Sequence, residues 1–136
     1  MSSSSESREF HLGAGKANQI ASAYRSSGEV FRILDLGCGP GNYHEDMKRK
    51  LKQIGPGKEI EIIGIDNNYD ALERAGQGNY ILHDVTSEYD LPVEEDSIDL
   101  VYSRHLNCQL THEETQEIIE KAEKVLEDSG VQFHEC

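Results

Sequence analysis

The sequence is poor in basic residues and in long apolar runs, and each shortage excludes a class of protein. Only 13 lysine and arginine residues stand against 26 aspartate and glutamate residues, which gives a formal net charge of −13. Because naked nucleic acid is bound mainly through cationic contacts to phosphate, a large nucleic-acid interface is not expected. No stretch approaches the run of about 18 apolar residues that a transmembrane helix needs, so no membrane span is expected.

Cysteine is also scarce. The 3 cysteines have no regular spacing, so a disulfide framework is not expected and a reduced, cytoplasmic location is the default. His105, Cys108 and His112 lack the second close pair of a zinc site, and no metal is predicted. The N-terminus has neither the basic start nor the apolar stretch of a secretory signal. Residues 1–8 are predicted to be a disordered polar tail, and residues 9–136 have the size of one domain.

The most informative segment is residues 33–41, which read Ile-Leu-Asp-Leu-Gly-Cys-Gly-Pro-Gly. An apolar run typical of a buried strand comes first, and alternating glycines then predict a tight turn. Asn42 and Glu45, three residues apart, resemble a capping box at the start of a helix. The segment therefore predicts a strand, a glycine turn and a helix. The carboxylate of Asp35 is buried just before the turn and requires a cation or a hydroxyl as partner.

Two nucleotide-binding patterns compete for this turn. The dinucleotide fingerprint Gly-x-Gly-x-x-Gly requires its third glycine at the position of Asn42, so that match fails. The segment instead resembles the acidic residue and Gly-x-Gly-x-Gly motif of the class I (Rossmann-like) S-adenosylmethionine-dependent methyltransferases. The resemblance implies that Asp35 lies near the amino group of the cofactor. It also implies that the ribose and methionine portion lies over a turn formed by Gly37, Cys38, Gly39 and Gly41.

A second strand is predicted for residues 59–65, which alternate and then become apolar. This strand ends at Asp66, and an acidic residue at such a tip can accept from both ribose hydroxyls of a nucleotide. Asn67 follows and belongs to the same predicted cofactor contact. The alternative is that these residues only cap the next helix, since Asp and Asn favour helix ends.

A third strand is predicted for residues 79–83, with Asp84 at its exit. In the family that the glycine turn resembles, an acidic residue here accepts from the adenine amino group. The next residue donates its backbone amide to a ring nitrogen, and Val85 holds that position. The alternative for Asp84 is an ordinary turn aspartate, which is a common feature of loops.

Residues 91–103 resemble the passage into the fourth strand of the same family, with Ile98 at a position that is usually aromatic. The resemblance implies that the exit of this strand, which begins at Ser103, borders the transferred methyl group. His105 is the predicted general base if the acceptor must lose a proton, because imidazole titrates near neutral pH. An ordinary loop histidine is the alternative.

Alternating strands and helices predict an α/β fold, a three-layer sandwich with a mostly parallel central sheet. A leading helix is predicted around residues 17–24, a capped helix from Thr111 to residues 128–130, and a fifth strand at residues 131–134. The family fold normally has seven strands, so the chain is predicted to be truncated after the fifth. An uncovered edge invites pairing, either in a homodimer or with a partner.

The first functional hypothesis is a methyltransferase that uses S-adenosylmethionine and acts on a small-molecule or protein acceptor. Methyl transfer from a sulfonium mainly requires the protein to align the nucleophile and exclude water. The alternative is a non-catalytic S-adenosylmethionine-binding module that pairs with a partner through its incomplete sheet. An NAD-linked enzyme is disfavoured by the glycine spacing.

Overall fold

A computed structural model describes residues 14–39, 41, 43–75, 78–104 and 106–135 of the chain. The predicted tail at 1–8 and the predicted base His105 lie outside these residues. In chain order the elements are α1 (Ala14–Ser26), β1 (Val30–Leu36), α2 (His44–Ile54), β2 (Glu59–Asp66), α3 (Tyr69–Ala75), β3 (Asn79–Leu82), β4 (Ile98–Arg104), a 3-10 turn (Asn107–Gln109), α4 (His112–Val125) and β5 (Leu126–Glu135).

The five strands form one sheet in the order β3-β2-β1-β4-β5. Every strand pair is parallel, which confirms the predicted α/β fold in a wholly parallel form. The chain runs outward from β1 to β3 and then crosses back to β4 on the other side of β1. This reversal opens a crevice at the carboxyl ends of β1 and β4, where ligands bind in open α/β sheets.

Side chains of β1 alternate between two apolar cores, one on each face of the sheet. Phe31 and Ile33 pack with residues of α1 and α2, and Leu34 and Leu36 pack with residues of α4. The buried members of these helices recur at the spacing of one helix face, and they include Ile20, Tyr24, Met47, Leu51, Ile118, Ala122 and Val125. Together the two cores hold the sheet between helical layers.

Of the two capping boxes predicted at helix starts, one is confirmed and one is wrong. The capping box of α4 is confirmed, because Thr111 Oγ1 accepts from the Glu114 amide at 3.1 Å and Glu114 Oε1 accepts from the Thr111 amide at 3.0 Å. The box predicted from Asn42 and Glu45 is wrong, because α2 begins at His44 with Tyr43 as an N-cap that makes no side-chain cap. Asn42 itself lies outside the described residues.

The end of α4 also differs from the prediction. The helix was expected to continue to residues 128–130, but it ends at Val125 and β5 begins at once. The reason is strand pairing, because Leu126 already pairs with Ile98. The next pair joins Leu100 to Val131, so residues 127–130 form an irregularity in the ladder.

The two cysteines that the structure describes differ in their bonding state. Cys38 is free and buried, whereas Cys108 is disulfide-bonded. Spacing along the chain could not show this, because it does not report distance in the fold. Within the described ranges, no group of three or more histidine, cysteine, aspartate or glutamate side chains is arranged to hold a metal. No helix in the same ranges is long and apolar enough to cross a bilayer.

Candidate functional site

A cavity of about 340 Å³ lies at the carboxyl ends of the strands, beside the crossover from β3 to β4. Its walls come from the glycine turn after β1, the end of β2, the segment after β3, and the exit of β4 with the following 3-10 turn and α4. Five residues predicted to bind the cofactor line this cavity: Gly37, Asp66, Asn67, Asp84 and Val85.

The remaining predicted residues do not line this cavity. Asp35 and Ser103 are fully buried, and Cys38 is nearly so. The other two belong to the glycine turn itself: Gly39 and Gly41. The roles predicted for all ten cofactor residues remain predictions.

The glycine turn is tied to the end of β2. The amides of Gly37 and Cys38 donate to the Ile65 carbonyl at 2.7 and 3.0 Å, and the Gly39 amide donates to Asp66 Oδ2 at 2.8 Å. Gly37, Gly39 and Gly41 have φ values of 69°, 57° and 71°, a region that favours glycine. The backbone conformation of the turn therefore favours glycine at these positions, independently of contact with a ligand.

Asp66 keeps the capacity to bind a ligand. Its Oδ2 accepts from Gly39, and its Oδ1 accepts from the Asn68 amide at 2.8 Å. A carboxylate offers about four lone-pair sites, so each oxygen retains one for a further donor. The side-chain cap of α3 comes from Asn68 instead, because Asn68 Oδ1 accepts from the Ala71 amide at 3.2 Å. The ribose contact of Asp66 remains a prediction that these free lone pairs allow.

Asp35 has a partner that the sequence did not reveal. Its Oδ2 lies 2.6 Å from His44 Nε2, and both side chains are buried. Burial raises the pKa of Asp35, and the hydrogen bond with His44 opposes that rise. The other oxygen of Asp35, Oδ1, and the Tyr43 hydroxyl are buried and make no hydrogen bond within the described residues, so His44 is the partner that the geometry supports. The requirement for a partner was predictable, and the first histidine after the turn meets it.

Tyr80 supports the turn from the other side of His44. The Tyr80 ring stacks on His44 with a centroid distance of 6.1 Å and an interplanar angle of 9°. A Cβ added to Gly41 would lie 2.8 Å from the Tyr80 hydroxyl oxygen, and a Cβ added to Gly64 or Gly78 would lie 2.8 or 2.7 Å from an atom of the Tyr80 ring. We call these three glycines the Tyr80 cradle. The absence of a Cβ at each of these glycines leaves space for the Tyr80 side chain, whose ring stacks on His44.

The segment after β3 forms the third wall of the cavity. Asp84 Oδ1 accepts from the Thr86 amide at 2.9 Å and from Thr86 Oγ1 at 2.6 Å. These bonds, with a smaller contribution from the charges of His83 and Lys121, hold the pKa of Asp84 below its ordinary value. Asp84 is therefore a carboxylate that stays ionised and exposed at the wall of the cavity.

Ser103 takes part in a hydrogen-bond chain behind the cavity. Its Oγ lies 2.7 Å from His134 Nδ1, and His134 Nε2 lies 2.7 Å from Gln132 Oε1. The Gln132 amide nitrogen donates to the Ile119 carbonyl at 3.4 Å, so Oε1 must accept and the His134 proton is assigned to Nε2. Burial lowers the pKa of His134, which favours the neutral ring that accepts from Ser103.

The fold is that of the class I (Rossmann-like) methyltransferase family. Residues 33–130 match the family described as "Methyltransferase domain", and the chain belongs to that family. This finding confirms the family predicted from the glycine turn, and the wholly parallel sheet confirms its Rossmann-like fold.

Particular relatives place the chain within the family. Over 101 residues it is 31% identical to phosphoethanolamine N-methyltransferase 1 of Zea mays, a match that covers 74% of the chain and 20% of the relative. The chain therefore spans about a fifth of the length of that curated relative. A solved S-adenosylmethionine-dependent methyltransferase from Archaeoglobus fulgidus is 27% identical and has a TM-score of 0.54. That match covers 72% of this chain and 41% of the Archaeoglobus chain.

A second solved structure shows the fold at greater distance in sequence. CalS10, an amino pentose methyltransferase from Micromonospora echinaspora with S-adenosylmethionine bound, has a TM-score of 0.64 at 21% identity. The match covers 89% of this chain and 48% of CalS10. The predicted cofactor, S-adenosylmethionine, agrees with these relatives.

Proposed function

We propose that this chain binds S-adenosylmethionine and serves as the cofactor domain of a methyltransferase that acts on a small-molecule or protein acceptor. The observation that carries this proposal is the cavity beside the glycine turn. Its walls hold Asp66 with Asn67 and Asp84 with Val85, which are the residue types predicted for ribose and adenine. The cavity also lies where the strand order reverses, the usual ligand position in this class of sheet.

Charge in the cavity supports the choice of cofactor. The walls carry the carboxylates of Asp66, Asp84 and Glu114 against the single guanidinium of Arg104. S-adenosylmethionine combines a sulfonium, an ammonium and a carboxylate, so it bears a net positive charge. A cleft lined with one sign of charge concentrates ligands of the opposite sign, so this site favours a cationic cofactor over its neutral product.

When bound, the cofactor supplies a methyl group already activated on a sulfonium. Asp66 would accept from the ribose hydroxyls through its remaining lone pairs. Asp84 would accept from the adenine amino group, and the Val85 amide would donate to the ring. Leu106 and Leu110 give the cavity an apolar wall that excludes water from the neighbouring Ser103. His105 as the base that deprotonates the acceptor remains a prediction.

The name of the Zea mays relative supports a small-molecule acceptor as the first class to test. Pairing of the β5 edge with a second copy or a partner is the proposal for assembly. It is supported by the position of β5 at the margin of the sheet in the described part of the chain. The cytoplasmic location remains a prediction.

Calorimetric titration with S-adenosylhomocysteine tests the proposal directly. We expect a dissociation constant in the micromolar range and a loss of about tenfold or more in Asp66→Ala, since that change removes charge-assisted hydrogen bonds. Asp90→Ala is the matched control, because the Asp90 side chain is 69% exposed and does not line the cavity. A folded chain that binds neither S-adenosylhomocysteine nor S-adenosylmethionine would contradict the proposal.

A further inference from the structure

Lys121 of α4 holds the segment that forms the third wall of the cavity. Its ammonium donates to the Val85 carbonyl at 3.1 Å and to the Ser87 carbonyl at 2.5 Å. These contacts reach across more than 30 positions of sequence, since they join residue 121 to residues 85 and 87. Hydrogen bonds to a charged donor are stronger than those between neutral groups.

The wall that Lys121 holds has little other support from regular structure. Strand β3 ends at Leu82, and the His83 amide still donates to the Asp66 carbonyl at 3.0 Å. Beyond this point the hydrogen bonds made by the amides and hydroxyls of residues 86 and 87 are local and run back to Asp84, while the Val85 side chain is buried in the apolar core. An irregular segment of this kind needs a long-range contact to fix its direction relative to the sheet.

The position of the Val85 amide follows from these contacts. The Ser87 amide donates to the Asp84 carbonyl at 3.0 Å. Because a peptide unit is planar, the direction of the Asp84 carbonyl sets the opposite direction of the Val85 N–H. Lys121 binds the carbonyls of Val85 and Ser87, so it holds the second and the last residue of the turn that orients this N–H.

We propose that Lys121 is a positioning residue that sets nucleobase specificity by fixing the backbone of residues 84–87. This inference rests on the proposed function, because it takes the Val85 amide as the donor to the adenine ring. A ring nitrogen with a free lone pair can accept a hydrogen bond from the Val85 N–H. A ring nitrogen that carries a hydrogen is itself a donor and cannot accept it. The rigidity of the amide therefore decides how strongly the site rejects the second kind of base.

The test compares two ligands on four proteins. S-inosylhomocysteine replaces the adenine amino group by a carbonyl oxygen and places a hydrogen on the neighbouring ring nitrogen, whereas S-adenosylhomocysteine retains the acceptor. Calorimetry would give both dissociation constants for the unaltered chain, Lys121→Met, Lys121→Arg and Lys124→Met. Methionine keeps the apolar stem of Lys121 without its charge. Lys124 is the matched control, because it lies on the same helix and pairs with exposed Asp90 at 3.2 Å.

The unaltered chain and Lys124→Met are expected to prefer S-adenosylhomocysteine equally. Lys121→Met is expected to reduce that preference by about 3- to 10-fold, the equivalent of one lost hydrogen bond, and Lys121→Arg is expected to restore it. Equal preference in Lys121→Met and Lys124→Met would overturn the inference. Failure of the unaltered chain to bind either ligand would instead overturn the proposed function, and the inference with it. If Lys121→Met did not fold, loss of preference in folded Lys121→Arg would contradict the proposed role.

Discussion

Replacing Gly41 by alanine is expected to destabilise the fold by two separable effects. The first is backbone strain, because Gly41 has a φ of 71° and an L residue in this region costs about 1–2 kcal/mol. The second is crowding, because the new Cβ would lie 2.8 Å from Tyr80 Oη and 3.0 Å from His44 Nδ1. Overpacking of this kind costs about 1–3 kcal/mol, so the expected total is about 2–5 kcal/mol.

Two other glycines of the chain separate these effects. Gly39 has a φ of 57°, but its added Cβ would meet nothing within 4 Å, so Gly39→Ala reports strain alone. Gly57 has neither a positive φ nor a neighbour within 4 Å of the added Cβ. Gly57→Ala is therefore expected to be neutral or to stabilise by up to about 1 kcal/mol through the unfolded state.

Urea and thermal unfolding of the three variants without ligand would measure the series. The order of stability is expected to be Gly57→Ala, then Gly39→Ala, then Gly41→Ala. Adding Tyr80→Phe to Gly41→Ala removes the nearest clashing atom and should recover part of the crowding cost, which a double-mutant cycle would detect. Equal destabilisation in Gly39→Ala and Gly41→Ala, within about 0.5 kcal/mol, would refute the packing of Tyr80 and His44 against the turn.

Three further predictions concern pH and salt. A hydrogen bond with Asp99, and to a smaller extent burial, raises the pKa of Glu127 to about 7. The contribution of protonated Glu127 to stability is therefore full below its ordinary pKa of 4.5 and is lost as pH rises through 7. Glu127→Gln should flatten the thermal stability profile between about pH 5 and about pH 8, and an unchanged slope would contradict this. Burial lowers the pKa of His134, so the contribution of neutral His134 to stability is present above about pH 6.5 and is lost at lower pH. NMR titration should find His134 protonated only below about pH 6.5. Because the cavity is acidic, the affinity for S-adenosylmethionine should fall more steeply with added salt than that for S-adenosylhomocysteine.

Local patterns in the sequence were sufficient for much of the fold. The capping box of Thr111 and Glu114 and the apolar alternation of β1 depend on residues that are close along the chain. The two acidic strand ends, Asp66 and Asp84, were found for the same reason, since a strand followed by an acidic residue is a short-range pattern. Parallel pairing then brought these ends to one cavity, as the α/β topology predicts.

The contacts that the sequence did not reveal join distant residues. Lys121 is more than 30 positions from the carbonyls it binds, and no local pattern distinguishes it from the exposed Lys124 on the same helix. The early end of α4 has a similar cause, because pairing of Leu126 with Ile98 prevails over the turn residues at 128–130. In each case tertiary contacts override local preference.

The Tyr80 cradle makes residues in three separate segments dependent on one another. Alanine at position 41, 64 or 78 is excluded in part by the Tyr80 ring, and a smaller residue at position 80 would relieve that exclusion. Substitutions at these positions should therefore be accepted in combination rather than one at a time. Among related sequences, we expect position 80 to covary with positions 41, 64 and 78. A neighbouring side chain is thus a reason to retain a glycine of the turn, even where contact with a ligand alone would permit another residue.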